Sequence, residues 1–353
     1  MIDPGLFTIS NPVDADHLQR LRAAAGSGPV MILTHDNPDP DGLAAGKALA
    51  WLLQAAWGID ARLVFSGLVE RVENKAMLRL LTPEWKHSDT LAGLDECPAV
   101  ALVDTQPGAG NNRLPAAVTP AIVIDHHRPM REALAAVPFV DVRTDVGATV
   151  SLLYQYLEAA GLAPDADLAT AIFYGVQADT QGLSRGGAAV DQYVFFRMLS
   201  RLDRAKLAQV EQAGLPRAYF RAFSHGLREA QVFGRLVVCY LGALHRPDFV
   251  AEMADLLVRL DGTRAVLCLG WHARQADPAA GTMYLSLRTT PGEQDASLLV
   301  QRVIFPPGKA GGHGSAAGGQ VPLAGLAADE VALALQARFL EALGETAPGE
   351  PLL

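Results

Sequence analysis

Continuous apolar runs, each followed by polar loop residues, predict buried parallel strands in the first part of the chain. The runs are residues 30–33, 61–65, 99–103 and 121–124, and apolar runs without alternation are typical of strands covered on both faces. Residues 42–56 are rich in Ala and Leu and predict a helix between the first two strands. Because this order is a βαβ unit, the pattern predicts an α/β fold with a doubly wound, mostly parallel sheet.

Helical patterns dominate the middle of the chain. Residues 147–160 and 166–178 predict helices, and the second of these places apolar residues on one face. Residues 189–231 are helix-rich without strand signals, and we interpret them as helices that lead into a connector. Further helices are expected at residues 14–25 and, with a solvated face, at residues 69–81.

The pattern changes near Gln231 to one that predicts a smaller α+β domain. Strands and an amphipathic helix follow in the order β-α-β-β, and a glycine-rich segment at residues 306–319 predicts a loop. The predicted elements are strands at 232–241, 264–272 and 282–288 and helices at 249–260, 296–305 and 327–343.

The length of the chain predicts two domains, because 353 residues exceed one compact core of ordinary size. We predict a first domain at residues 1–188, a helical connector at 189–230, a second domain at 231–345 and a frayed tail at 346–353. The two domains are expected to face each other across a cleft that holds the active site.

Composition narrows the class of protein. Hydrophobic residues make up 50% and charged residues 19% of the chain, as in folded globular proteins. The net charge of −9 argues against a large basic surface that binds long duplex nucleic acid, although bound metals could still attract a small nucleotide. The three scattered cysteines indicate neither a disulfide framework nor a zinc site. Since there is no signal-like leader and no long apolar run, we expect a cytoplasmic protein without membrane contact.

Acidic and imidazole side chains follow the ends of three predicted strands and one helix. The first strand leads into H-D-N-P-D-P-D at residues 35–41, and the later ones end in V-D and D-H-H. Sites in parallel sheets form past the carboxyl ends of strands, so these side chains are expected to converge. Residues 35–41 alone would also fit an acidic surface turn, but three strand ends favour a site. The candidate metal ligands are His35, Asp39, Asp41, Asp104, His126 and Asp179.

The charge of this set predicts two metal ions. Converging carboxylates within about 4–6 Å repel one another strongly unless cations compensate them. Two divalent ions would cancel the four negative charges, and ions about 3.5–4 Å apart can activate a water and stabilise charge on phosphoryl oxygens. Oxygen ligands with some imidazole favour Mn²⁺, with Mg²⁺ as the alternative.

The ordered motifs resemble those of the DHH phosphoesterase superfamily. They are H-D-N-P-D-P-D at 35–41, V-D at 103–104, D-H-H at 125–127 and A-D-T at 178–180. In addition, S-L-R at 286–288 and G-G-H-G-S-A-A-G-G at 311–319 resemble the DHH-associated C-terminal domain. This pairing of domains is typical of the branch that contains RecJ-like nucleases, nanoRNases and 3′-phosphoadenosine-5′-phosphate phosphatases. The resemblance covers nearly the whole chain.

The resemblance implies a role for each motif residue. One ion would be held by His35, Asp39 and Asp104, and the other by Asp41, Asp104, His126 and Asp179. Asp104 would bridge the ions, and His127 would act on the substrate phosphate, so both are the candidate catalytic residues. Asp125 would orient the loop or an imidazole.

The second domain is expected to bind the rest of the substrate. Glycines allow backbone amides to approach phosphate oxygens closely, and Arg288 could grip a phosphate with two hydrogen bonds. The candidate substrate-binding residues are His127, Arg288, Gly311, Gly312, His313 and Gly314.

These features together predict a metal-dependent phosphohydrolase or phosphodiesterase. The resemblance implies that the substrates are short single-stranded oligonucleotides, as for a nanoRNA exonuclease, or 3′-phosphoadenosine-5′-phosphate. Alternatives are a linear or cyclic dinucleotide phosphodiesterase and, in a different class, a non-catalytic nucleotide-binding sensor. The sequence leaves open whether the protein forms a homodimer.

Overall fold

The structure is a computed structural model that describes residues 9, 11–184, 187–273 and 281–353, with His313 described for its backbone alone. The chain divides into two compact units, Met1–Gly214 and Leu215–Leu353. The division falls inside the segment that the sequence assigns to a connector, and the finer boundaries at 188, 230 and 345 stay predictions.

The first unit contains a six-stranded parallel sheet in the order β3-β2-β1-β4-β5-β6. This confirms the predicted α/β class and its parallel sheet. The short edge strand β3 was not predicted, because two exposed residues carry no apolar signal. The strands are β1 (Val30–Leu33), β2 (Ala61–Phe65), β3 (Lys86–His87), β4 (Ala99–Val103), β5 (Ile122–Asp125) and β6 (Phe139–Val142).

Two apolar cores cover the faces of this sheet. The larger contains Ile32 and Val103 of the sheet and the buried faces of the α-helices. The smaller contains Met31 and Val123 and is closed by loops and short 3₁₀ segments. The helices of this unit are α1 (Ala15–Ala25), α2 (Pro40–Trp57), α3 (Val72–Leu80), α4 (Thr149–Ala159), α5 (Ala166–Thr180), α6 (Ala189–Met198) and α7 (Arg204–Glu211).

Helix α2 begins earlier than the sequence predicts, at Pro40 instead of Gly42. Pro40 is accommodated because proline is favoured in the first helical turn, where its missing N–H has no intrahelical partner. Asp39 caps the helix and accepts the N–H of Gly42 at 3.0 Å. As a result, Asp41 lies within the first turn of α2.

The second unit contains a seven-stranded mixed sheet in the order β11-β12-β10-β9-β8-β7-β13. Strands β8 and β9 are parallel, and the remaining neighbours pair antiparallel. The strands are β7 (Ala230–Phe233), β8 (Leu236–Ala243), β9 (Ala265–His272), β10 (Thr282–Thr289), β11 (Lys309–His313), β12 (Ala316–Pro322) and β13 (Glu350–Pro351), and the helices are α8 (Arg217–Glu229), α9 (Phe249–Leu257), α10 (Ala296–Val303) and α11 (Ala328–Leu343).

The predicted glycine-rich loop at residues 306–319 is largely a β-hairpin formed by β11 and β12. Gly311 lies opposite Gly318, and Gly312 lies opposite Ala317. A Cβ on Gly312 would lie 2.4 Å from the Ala316 carbonyl oxygen, so the close approach of the strands requires glycine there. Glycine composition suggested a loop, but here glycine serves strand packing.

The predicted frayed tail is also partly ordered. Glu350 pairs with Val232 and Pro351 with Gln231, so strand β13 extends the edge of the second sheet. Strand β13 forms because its backbone pairs with β7, and no sequence pattern within the tail predicts this strand.

Candidate metal centre

The candidate ligands converge at the carboxyl end of the first sheet. Strands β1, β4 and β5 are neighbours, and each is followed at this edge by an acid or an imidazole. Asp104 directly follows β4 in a left-handed conformation with φ +59°, which a non-glycine residue adopts infrequently. The ligand atoms form three groups, each within 4.8 Å: His35, Asp39 and Asp104; Asp41, His126 and Asp179; and Asp104, His126 and His127.

The first group is centred on His35. Its Nε2 lies 3.6 Å from Asp39 Oδ1 and 3.4 Å from Asp104 Oδ2. Its Nδ1 lies 2.9 Å from the Asp36 carbonyl oxygen, which therefore accepts from Nδ1–H and leaves Nε2 facing the carboxylates. Burial lowers the pKa of His35, but the two carboxylates outweigh it and raise the pKa well above the ordinary value. Positive charge is thus strongly favoured at this position.

The second group is centred on His126. Its Nε2 lies 3.4 Å from Asp179 Oδ2 and 3.5 Å from Asp104 Oδ1, and its Nδ1 lies 3.3 Å from the Val146 carbonyl oxygen. Burial, together with the nearby His127, lowers the pKa of His126. A neutral imidazole whose Nε2 faces carboxylates is the form that binds a metal.

Asp104 belongs to both halves of the site. It is 1% exposed, and its Oδ1 accepts the hydroxyl of Thr149 at 2.9 Å. Its Oδ2 is buried and has no hydrogen-bond partner among the described residues. A buried carboxylate oxygen without a hydrogen bond is costly unless a cation compensates it, so this oxygen fits a metal ligand that serves two positions.

Asp41 is buried among the other carboxylates and also holds the start of α4. Burial and the charges of Asp104, Asp179 and Asp39 raise its pKa well above the ordinary value. Its two oxygens accept the backbone N–H groups of the first two residues of α4. The repulsion among these acids is the electrostatic reason to expect cations here.

The backbone of α2 passes so close to Thr34 and Asp104 that position 42 requires glycine. A Cβ on Gly42 would lie 2.4 Å from Thr34 Oγ1 and 3.2 Å from Asp104 Oδ2. The first turn of α2 therefore passes directly against the site.

His127 lies beside the ligands with a more exposed ring. Its side chain is 43% exposed, and its Nδ1 lies 2.8 Å from Asp125 Oδ1 and 3.6 Å from Asp104 Oδ1. Burial opposes protonation, but the hydrogen bond to Asp125 and the nearby carboxylates raise the pKa of His127 to about 9. The imidazoles of His126 and His127 meet edge to face at 4.3 Å, so both consecutive histidines lie in the site.

Two supporting residues were not predicted from the sequence. Gln106 donates to Asp125 Oδ2 at 2.7 Å and to the His127 carbonyl oxygen at 3.0 Å, and Thr149 donates to Asp104. Gln106 follows Asp104 by two residues in V-D-T-Q, a position that could have signalled it. Thr149 comes from the distant start of α4 and gives no local signal.

In the second unit, Arg288 is held by neighbours within that unit. Its Nε donates to Asp255 Oδ1 at 2.5 Å, and its Nη1 donates to Ser286 Oγ at 2.8 Å. Gly311 and Gly312 lie in β11, and Gly314 occupies the turn with φ +55°. The side chain of His313 lies outside the described part of the chain. The substrate-binding roles of these residues stay predictions.

Comparisons with known proteins agree with this architecture. Residues 29–176 match the family described as "DHH family, N-terminal domain". An uncharacterized protein of Methanocaldococcus jannaschii is 30% identical over 326 residues, which are 90% of this chain and 64% of that protein. The chain thus spans less than two thirds of the length of this relative.

A solved structure shares the fold of almost the whole chain. It is an exopolyphosphatase-related protein from Bacteroides fragilis, with a TM-score of 0.74 and 14% identity, covering 94% of this chain and 98% of the other. None of the described helices is both long and apolar enough to cross a membrane.

Proposed function

Because residues 29–176 match the DHH family, N-terminal domain, we propose that this protein hydrolyses phosphoester bonds with the help of divalent metal ions. We further propose that it acts on short oligonucleotides or on 3′-phosphoadenosine-5′-phosphate. The position of Asp104, shared between two groups of ligand-type side chains, carries this proposal.

The donor set fits two divalent ions. His35, Asp39 and Asp104 would hold one, and Asp41, His126 and Asp179 would hold the other together with Asp104, whose Oδ1 lies 3.5 Å from His126 Nε2. Carboxylate oxygens suit both Mn²⁺ and Mg²⁺, and the two imidazoles favour Mn²⁺. Such ions would supply Lewis acidity, making a water nucleophilic and stabilising charge on phosphoryl oxygens.

The surrounding residues support this chemistry by orientation. Asp125 holds the ring of His127 by a hydrogen bond of 2.8 Å, and Gln106 holds Asp125. An exposed ring that is fixed in this way can donate a hydrogen bond to a phosphoryl oxygen as its charge grows. Thr149 fixes Asp104, so the carboxylate needs little reorganisation when ions bind.

The completeness of the ligand set favours an enzyme over a nucleotide-binding sensor. A sensor has no need of ligands that activate water, yet every candidate ligand converges in the structure. The buried Asp104 and Asp41 are costly to retain without a cation.

A substrate panel tests this proposal. The chain loaded with Mn²⁺ would be incubated with di- to pentanucleotides, 3′-phosphoadenosine-5′-phosphate and cyclic dinucleotides, with Asp104→Asn as the control for contaminating nucleases. We expect hydrolysis of the short linear substrates that is abolished by Asp104→Asn or by chelation. Tight binding without turnover by the wild type would support the sensor instead, and preferred cleavage of cyclic dinucleotides would support the dinucleotide phosphodiesterase.

A further inference from the structure

A cavity opens at the same edge of the first sheet, beside the candidate metal centre. It has a volume of about 520 Å³ and lies past the carboxyl ends of β2 and β3. Strand β2 is the direct neighbour of β1, whose end leads to His35. The cavity and the ligands are therefore adjacent along one sheet edge.

Hydrogen bonds fix the loop that lines this cavity to residues 35–39, which carry the candidate ligands His35 and Asp39 and are called the metal loop below. Asn37, between His35 and Asp39, donates its N–H to the Ser66 carbonyl oxygen at 2.9 Å. The side-chain oxygen of Asn37 accepts the N–H of Leu68 at 2.6 Å. The segment that lines the cavity is therefore held against the loop that carries His35 and Asp39.

Cations line one part of the cavity. Lys75 and Arg79 are exposed on α3, four residues apart, so their side chains project from the same helix face. Neither forms an ion pair with any residue that the structure describes. The Asp89 carboxylate pairs with other groups: its Oδ1 accepts the N–H of Gly67 at 2.9 Å and lies 3.6 Å from Nε2 of His87. The two cations are thus available for an anion.

Apolar side chains line the rest of the cavity. Leu68, which is 58% exposed, and Leu78 both belong to the lining. The ring of His87 meets Phe65 edge to face with centroids 5.4 Å apart. Apolar and aromatic surface beside cations is the combination that binds a base together with its phosphate. A chain of phosphates alone would leave Leu68 without a suitable contact.

We propose that this cavity binds the nucleoside next to the scissile phosphate, with the base against Leu68 and Leu78 and a further phosphate at Lys75 and Arg79. The inference rests on the proposed hydrolysis of nucleotides and assigns part of the substrate recognition to the first unit. It predicts that substrates with a nucleoside and a second phosphate are preferred over simple phosphodiesters.

Kinetics on two substrates tests the cationic part of this site. The double variant Lys75→Glu/Arg79→Glu would be compared with Arg201→Glu/Arg204→Glu, which changes charge equally at exposed positions outside the cavity lining. For a 5′-phosphorylated trinucleotide, we expect KM to rise by about 10-fold or more in the first variant and to change little in the control. Hydrolysis of bis(p-nitrophenyl) phosphate, which has no nucleoside, should be similar in both. Equal KM values for the trinucleotide in both variants would overturn the site.

The variant Leu68→Ala tests the apolar part. It should raise KM for the trinucleotide by about 5-fold, while competition by inorganic tripolyphosphate stays unchanged. If tripolyphosphate competes as strongly as the trinucleotide and Leu68→Ala affects neither, the occupant is a phosphate chain and the nucleoside assignment is wrong.

A binding measurement separates this inference from the proposed hydrolysis. Fluorescence anisotropy of a labelled trinucleotide with the metal-free chain should show weaker binding for Lys75→Glu/Arg79→Glu than for the control variant. If the variants differ in binding but no protein hydrolyses the trinucleotide, the nucleotide site is supported and the proposed hydrolase activity is wrong. If the wild type hydrolyses the trinucleotide but the two double variants have equal binding and equal KM, the hydrolase activity is supported and the proposed nucleotide site is wrong.

Discussion

The Asp41 carboxylate holds the start of α4 by accepting the backbone N–H of Thr149 at 2.6 Å, and its other oxygen accepts the N–H of Val150 at 2.8 Å. A candidate metal ligand is therefore also a helix cap. Since α4 supplies the Thr149 hydroxyl to Asp104, one carboxylate links two segments of the site.

This double role predicts different effects of two substitutions at Asp41. Asp41→Ala leaves two buried N–H groups without acceptors and should lower the free energy of unfolding of the metal-free protein by about 1–2 kcal/mol. Asp41→Asn keeps one of the two acceptors and removes a repelling charge, so under chelation it should be destabilised less than Asp41→Ala. Urea unfolding measures the stability of both variants. Asp165→Ala, which removes the cap of α5, is the control, and Mn²⁺ should stabilise it as it stabilises the wild type. Equal stability of the Asn and Ala variants would contradict the capping role.

The ligand groups predict two metal ions per chain. Elemental analysis after Mn²⁺ loading and desalting should give close to two equivalents for the wild type and little for Asp104→Ala, because Asp104 lies in both halves of the site. Mn²⁺ should also raise the melting temperature of the wild type, since a ligand that binds the native state stabilises it. One equivalent in both proteins would rule out a shared carboxylate.

The adjacent histidines should differ in their response to metal. His126→Ala removes a buried imidazole that faces Asp104 and Asp179, so metal affinity should fall by about 10-fold or more and excess Mn²⁺ should partly restore activity. His127→Ala should stay metallated and lose on the order of 100-fold in kcat at any Mn²⁺ concentration. Titration of activity and of bound metal measures both effects, and the reverse pattern would exchange the two roles.

The hydrogen bond that His127 Nδ1 donates to Asp125 predicts a pH effect in the metal-free protein. The pKa of His127 is raised to about 9, so its protonated form stabilises the fold at low pH, and this contribution is lost as the pH rises through about 9. Asp125→Asn should bring the pKa of His127 down toward the ordinary value of about 6.5. Nitrogen-detected NMR titration of the imidazole under chelation measures the shift, and an unchanged pKa would show that Asp125 does not set it.

Two glycines in α2 predict separable effects on site and stability. A Cβ at position 42 would lie 2.4 Å from Thr34 Oγ1 in the site, whereas one at position 46 would lie 2.2 Å from the Trp85 ring in the core. Gly42→Ala should therefore weaken Mn²⁺ binding, and Thr34→Ala should partly rescue it. Gly46→Ala should lower stability by about 1–3 kcal/mol through overpacking. Equal Mn²⁺ affinity in Gly42→Ala and Gly46→Ala would contradict this distinction.

Much of the fold could be predicted from local patterns. The apolar runs of β1, β2 and β4 coincide with the predicted strands, because a strand covered on both faces needs an uninterrupted apolar sequence. The short edge strands β3 and β13 and the hairpin of β11 and β12 could not be predicted, since their formation depends on a neighbouring strand and not on their own composition.

The sequence by itself determined which residue types end the strands and helices, and therefore that acids and imidazoles such as His35, Asp104 and His126 would gather at one sheet edge. Only the tertiary structure decided that Asp104 Oδ2, buried without a hydrogen bond among the described residues, faces His35 while Oδ1 faces His126, and that Asp41 caps α4. It also decided that the cavity with Lys75 and Arg79 lies beside the metal loop. Periodicity and strand ends are local properties of the chain, whereas these contacts join segments that are distant in sequence and meet only when the sheet and its helices pack.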